Sequence, residues 1–174
     1  MSSAELFIMV KAFIIYGKKE GESAAKAVYN YFKSEKGISV FLASPRSPDI
    51  KAGKFFKKTI IPRLDRSNVA IVIVTPGLRQ STIAMGEIIR AKALGIDFVP
   101  YVRGRTKLPK PLGNLWKPVK FEKGKGGKRS NLENLYSSMW GLLDTRINWA
   151  KPRLVKAKKA LLTIKLQVKL RGKR

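Results

Sequence analysis

The chain has 174 residues, with 37 Lys+Arg against 11 Asp+Glu for a formal charge of +26, and it contains neither His nor Cys. That inventory excludes disulfides, thiolate zinc sites, cysteine nucleophiles, an imidazole base and a Ser-His-Asp relay, so any catalysis must use carboxylates, hydroxyls, Lys or Arg. With 44% hydrophobic residues the chain can build a full core, and its length fits one domain.

The carboxylates are scattered, with no spacing like that of a calcium loop, and no metal is expected. Lys11 interrupts the apolar run from Leu6 to Tyr16, and the run from Asn68 to Leu78 is about half of the roughly 20 residues that span a bilayer. No membrane segment is expected. No Lys or Arg precedes the first apolar segment and no small-residue cleavage site follows it, which argues against a secretory signal and for a cytoplasmic protein.

In chain order, strand-like apolar runs alternate with amphipathic segments, the pattern of a parallel sheet covered by helices, hence an α/β fold. Phe7 to Tyr16 reads as a buried strand. A turn at Gly17 to Gly21 leads into a helix with Ala24, Ala27, Val28, Tyr31 and Phe32 on one face, ended by Gly37. Ile38 to Ala43 is a second strand, Ser44 to Pro48 a loop, and a short helix begins after Gly53. Val69 to Val74, all apolar and mostly β-branched, predicts a central strand buried on both faces. Ser81 or Thr82 caps a helix carrying Ala84, Ile88, Ala91 and Leu94 and ending at Gly95. Phe98 to Val102 is a fourth strand and Val119 to Phe121 a short fifth. Ser130 and Glu133 have capping-box spacing ahead of Leu132, Leu135, Tyr136, Met139 and Leu143. Residues 1–149 form the domain. Residues 150–174 form a basic amphipathic extension in which Leu162, Ile164, Leu166, Val168 and Leu170 alternate with polar residues, as in a strand that buries one side against the sheet edge or a second subunit.

Charge is concentrated in two segments. Residues 103–129 hold ten Lys or Arg and one Glu, and residues 151–174 hold ten and no acid. Both suit nucleic acid or another polyanion, with Trp116 and Phe121 available for base stacking. Gly124 to Ser130 departs from a phosphate loop, because Glu122 and Arg129 stand where that pattern needs Gly and Ser or Thr; it reads as a flexible basic loop.

Several spaced motifs carry a family resemblance. Ala12-Phe-Ile-Ile-Tyr16 opens the first strand, Gly53 precedes Ser67 by fourteen residues, Thr75-Pro76 follows eight residues after Ser67, and Ser81-Thr-Ile-Ala-Met-Gly-Glu87 comes next. Together they resemble the Toll/interleukin-1 receptor (TIR) domain family over residues 6–144, with Ile83 and Ala84 in place of its Trp and Cys. The resemblance implies a flavodoxin-like three-layer sandwich around a parallel sheet of about five strands in the order 2-1-3-4-5. It also implies a homo-oligomeric signalling protein or an enzyme acting on NAD or a related nucleotide as substrate, with no further cofactor. In the enzymatic members the Glu matching Glu87 acts in cleavage of the nicotinamide–ribose bond. Tyr16, Lys18, Ser44, Arg46 and Ser81 would then surround the ligand at the carboxyl ends of the first three strands, Lys18 and Arg46 suiting a diphosphate. The structural alternatives are a surface pair between Glu87 and Arg90 one turn on, and a simple N-cap role for Ser81. The segment Ile83 to Gly95 also looks like the Glu-bearing helix of nucleoside deoxyribosyltransferases, and a non-catalytic basic adaptor binding nucleic acid is a further alternative.

Overall fold

The computed structural model describes residues 9–17, 20–43, 56–113 and 118–144. Five strands, β1 (Val10–Tyr16), β2 (Ile38–Leu42), β3 (Val69–Val74), β4 (Asp97–Arg103) and β5 (Val119–Phe121), form one sheet in the order β2-β1-β3-β4-β5, every neighbouring pair parallel. All six residues of β3 are buried, as a strand with neighbours on both edges and helices on both faces requires.

The strand connections are helices α1 (Glu22–Lys33), α2 (Phe56–Asp65) and α3 (Thr82–Ala93). Reversal of strand order after β1, with right-handed crossovers, sends α1 to one face and α2 and α3 to the other. The α2/α3 face is a continuous core of Phe13, Ile15, Ala70, Val72 and Val74 under Ile60, Leu64, Ala84, Ile88 and Ala91. Alternation along the strands turns Ala12, Ile14, Ile71 and Ile73 to the opposite face. There α1 buries Ala24, Ala25, Val28, Tyr29 and Phe32. The buried stripe is therefore rotated from the expected one, with Ala25 and Tyr29 inside and Ala27 and Tyr31 at its margin. Leu94 likewise leaves the core of α3, at 49% exposure, because it caps the helix after the last buried turn.

Gly17 is buried at the end of β1, where a Cβ would lie 2.9 Å from Leu78 Cα in the 3-10 turn Pro76–Gln80. The close approach accounts for a glycine after Tyr16. Residues 123–128 are not a loose loop. Lys125 N donates to Glu122 O, Lys128 N to Lys125 O, and the buried Tyr101 hydroxyl donates to Gly126 O at 2.7 Å. A Cβ on Gly126 would sit 2.8 Å from Ala24 Cβ, so the missing side chain lets this turn lie directly on α1. The helix that follows starts at 129, earlier than the Ser130 cap predicts, and Glu133 accepts from Arg129 at 2.8 Å instead of closing a capping box.

The chain divides into two compact units, Met1–Tyr136 and Ser137–Arg174. In the first, Tyr136 packs its ring against Tyr31 and Phe32 of α1, and Leu132 and Leu135 are buried. In the second, residues 137–144 are helical with Met139 and Leu143 buried. The 149/150 boundary, the alternating segment 162–171 and Trp116 lie outside the described residues. No described helix is long and apolar enough to cross a membrane.

Candidate functional site

Helix α3 starts where Ser81, in extended conformation, accepts a hydrogen bond from Ala84 N at 3.3 Å, an N-cap that fixes the helix register. With Ala84, Ile88 and Ala91 locked onto the sheet, Ile83, Glu87 and Arg90 fall on the flank that faces α2. A cavity of about 360 Å³ opens there, walled by Ile60, Ile61 and Leu64 of α2 and by Thr82, Ile83, Gly86, Glu87 and Arg90 of α3. Most of that wall is aliphatic, and Ile61 and Ile83 stay 38% and 54% exposed at its rim.

Glu87 is half-buried, and its carboxylate has no hydrogen-bond or ion-pair partner among the described residues. Burial among aliphatic groups disfavours the charged form and pushes the carboxyl up to about 8. Arg90, the obvious partner one turn along, is held elsewhere: its Nε and Nη2 donate to Asp65 Oδ1 and Oδ2, both at 2.7 Å, in a two-pronged pair. Those hydrogen bonds hold Asp65 below the usual carboxylate range. The surface pairing of Glu87 with Arg90 is thus not formed.

Of the residues the sequence assigns to the site, Glu87 lines the cavity and Ser81 caps its helix. Tyr16 does not join them. It shares the alternation of Ala12 and Ile14, and its Cβ lies 3.2 Å from where a Cβ on Gly21 would be, so it belongs to the α1 side of the sheet. Lys18, Ser44 and Arg46 lie outside the described residues. At the carboxyl ends of the strands, Glu20 accepts from Gly77 N at 3.4 Å and pairs with Arg103 at 3.2 Å, tying the chain after β1 to the ends of β3 and β4. Beside them Thr75 is buried, its Oγ1 without a hydrogen bond among the described residues. Sequence reasoning missed Asp65 and the aliphatic wall of α2. Nothing in the sequence links Asp65 to Arg90, since they sit on different helices. The exposed Ile61 and Ile83 were the legible hint, as apolar residues at positions the core does not use.

No family model and no curated protein matches the chain. Solved structures do. The TIR domain of the Toll-related receptor TRR-2 from Hydra magnipapillata superposes with a TM-score of 0.53 at 16% identity, covering 80% of this chain and 98% of that one. The TIR domains of the activated Roq1 resistosome, which directly recognises the pathogen effector XopQ, give a TM-score of 0.46 at 17% identity over 79% of this chain and 75% of that one. The Hydra likeness and the parallel β2-β1-β3-β4-β5 sheet with its flanking helices give this chain the fold of the TIR domain.

Proposed function

We propose that the chain is a catalytic TIR-family protein that hydrolyses the nicotinamide–ribose bond of NAD, with Glu87 as the reacting carboxylate. The observation that carries this reading is the isolation of Glu87: a half-buried carboxyl in an aliphatic cavity, unpaired among the described residues and pushed up to about 8 while the neighbouring Arg90 is engaged by Asp65. A structural glutamate on a helix surface has no need of such a setting.

The chemistry follows from the charge. The nicotinamide ring of NAD carries a positive charge, and its apolar faces suit the walls formed by Ile60, Ile61, Leu64 and Ile83. Arrival of that cation favours ionisation of Glu87. As the C1′–N bond breaks, its electron pair leaves with nicotinamide, which becomes neutral, and positive charge develops on the ribose. The Glu87 carboxylate opposes that charge across a low-dielectric gap. Water then adds to C1′, releasing a proton and giving ADP-ribose. Gly86, with open space where a Cβ would stand, leaves room beside the carboxylate.

The test is incubation of concentrated protein with NAD and measurement of free nicotinamide and ADP-ribose, alongside Glu87→Gln. Release by the wild type and its loss in the variant support the reading. Equal release by both removes Glu87 from the chemistry, and cleavage of deoxynucleosides in place of NAD assigns the transferase alternative. A second reading, assembly without catalysis, draws on Ile89 and Leu94 of the α3 segment, which are 57% and 49% exposed. Concentration-dependent mass by light scattering with no nicotinamide release would favour it.

A further inference from the structure

A second concavity, of about 500 Å³, lies at the β4–β5 end of the sheet, lined by Gly104, Arg105, Lys120, Lys125, Lys128 and Asn131 together with Phe121 and Glu122. Four cations face one carboxylate. Lys125 Nζ pairs with Glu122 at 2.5 Å, whereas Arg105, Lys120 and Lys128 form no ion pair among the described residues. Like charges gathered on a concave surface repel one another, and that repulsion is relieved by a bound anion.

The arrangement is held by the fold. Gly104 N donates to Phe121 O at 2.7 Å, which fixes Arg105 beside Lys120. The Tyr101 hydroxyl anchors Gly126 O at 2.7 Å, and Asn131 Nδ2 donates to Lys125 O at 3.1 Å, which pins the turn carrying Lys125 and Lys128. Gly126 lies against Ala24 of α1, so the turn cannot settle inward and its lysines stay outside. An anion arriving here meets cations whose backbone is already in place, so the ordering that opposes binding is confined to their side chains.

We propose that this concavity is a binding site for the phosphate backbone of nucleic acid, separate from the Glu87 cavity and independent of the reading given to it. Two features favour a repeating polyanion over a single small one. The cations come from three separate stretches of chain, at Arg105, at Lys120 and at Lys125 and Lys128. The concavity is larger than one phosphate fills. Recognition is by phosphates and not by bases: Phe121 is 5% exposed and stacks on Tyr101 at 4.3 Å, so it offers no face to a base. Its role as a base-stacking ring, which the sequence suggests, is excluded by that burial.

The experiment measures binding of the full chain to a fluorescent oligothymidylate of about 20 nucleotides across a salt series. The paired substitution Lys120→Gln/Lys128→Gln is compared with Lys36→Gln/Lys58→Gln, which removes the same charge from exposed lysines elsewhere. The site variant is expected to bind about tenfold more weakly at low salt, and its log–log salt slope to fall by about 1.4, two phosphates at roughly 0.7 each. The control variant should lose at most about threefold. Glu87→Gln should bind like the wild type, which separates this proposal from the catalytic one. Equal losses in the two paired variants would show that bulk charge alone binds, and the site assignment fails. If the site variant loses affinity for inorganic pyrophosphate but holds the oligonucleotide like the wild type, the concavity takes small anions and the nucleic-acid assignment is overturned.

Discussion

Arg90 reaches across from α3 to Asp65 at the end of α2 and grips both carboxylate oxygens at 2.7 Å, leaving Glu87 without a counter-charge among the described residues. The i,i+3 spacing would otherwise let Arg90 serve Glu87. Asp65 is therefore expected to act on Glu87 through Arg90, as a positioning residue. In Asp65→Asn the guanidinium loses its charged partner and is free to turn back one helical turn, where it would stabilise ionised Glu87. The expected result is a Glu87 carboxyl that titrates at least about one pH unit lower, read by carbon NMR of labelled glutamate. An unchanged titration would show that burial alone sets Glu87 and that the Asp65–Arg90 pair only ties two helices together.

Glu87 also makes a prediction about stability. Its folded value of about 8 lies above the usual 4.5, so between these values the folded chain holds a proton that the unfolded chain has lost. Stability tied to this group is fully present below about pH 4.5, falls as pH rises toward about 8, and is constant beyond. After allowance for its remaining exposure, the loss is on the order of 2–4 kcal/mol. Glu87→Gln removes the ionisation, so it should be close to the wild type in stability at pH 5 and more stable than it at pH 8.5. Urea melts at the two pH values test this, and a variant less stable at the higher pH contradicts the assignment.

Activity should carry the same titration with the opposite consequence. Only ionised Glu87 can oppose the developing ribose cation, so kcat/KM for NAD should rise about tenfold per pH unit below the carboxyl's pKa and level off above it. The nicotinamide cation in the complex favours ionisation, so the inflection in kcat should come at lower pH than the one in kcat/KM. A profile flat from pH 6 to 9 would remove the raised carboxyl from the rate.

How much of this was legible in the sequence depended on the range of the interaction. β3 and the sheet order were readable because Val69 to Val74 leaves no alternative to double burial and the family motifs supply the reversal after β1. The Ser81 cap was readable because capping is local. Glu87 was singled out by motif spacing, but its lack of a partner among the described residues follows from Asp65, which holds Arg90 from 25 residues away on another helix. Tyr16 lies apart from Glu87 for a simpler reason. Its place at the carboxyl end of β1 suggests the ligand crevice, while strand alternation turns its side chain to the α1 face. The run Gly124 to Ser130 has the composition of a loose loop, and the hydrogen bond from Tyr101 that orders it crosses 25 residues.

That ordering predicts opposite effects for two glycines. At Gly126 an added Cβ would fall 2.8 Å from Ala24 Cβ and 3.1 Å from the Phe121 ring, with no flexible side-chain end to yield. Gly126→Ala must push the turn off α1 and stretch the bond from Tyr101, whose hydroxyl is buried and has Gly126 O as its acceptor. A destabilisation of about 1–3 kcal/mol is expected, with weaker oligonucleotide binding because Lys125 and Lys128 ride on the displaced turn. Gly86 lies in the interior of α3 with nothing within 4 Å of its missing Cβ, so Gly86→Ala should stabilise by about 0.5–1 kcal/mol through helix propensity and a less flexible unfolded chain. Denaturant midpoints of the two variants, with nucleotide binding for the first, separate the effects. If Gly126→Ala folds as stably as the wild type and binds equally well, the turn is not held against α1 and the preorganisation argued for the basic concavity is wrong.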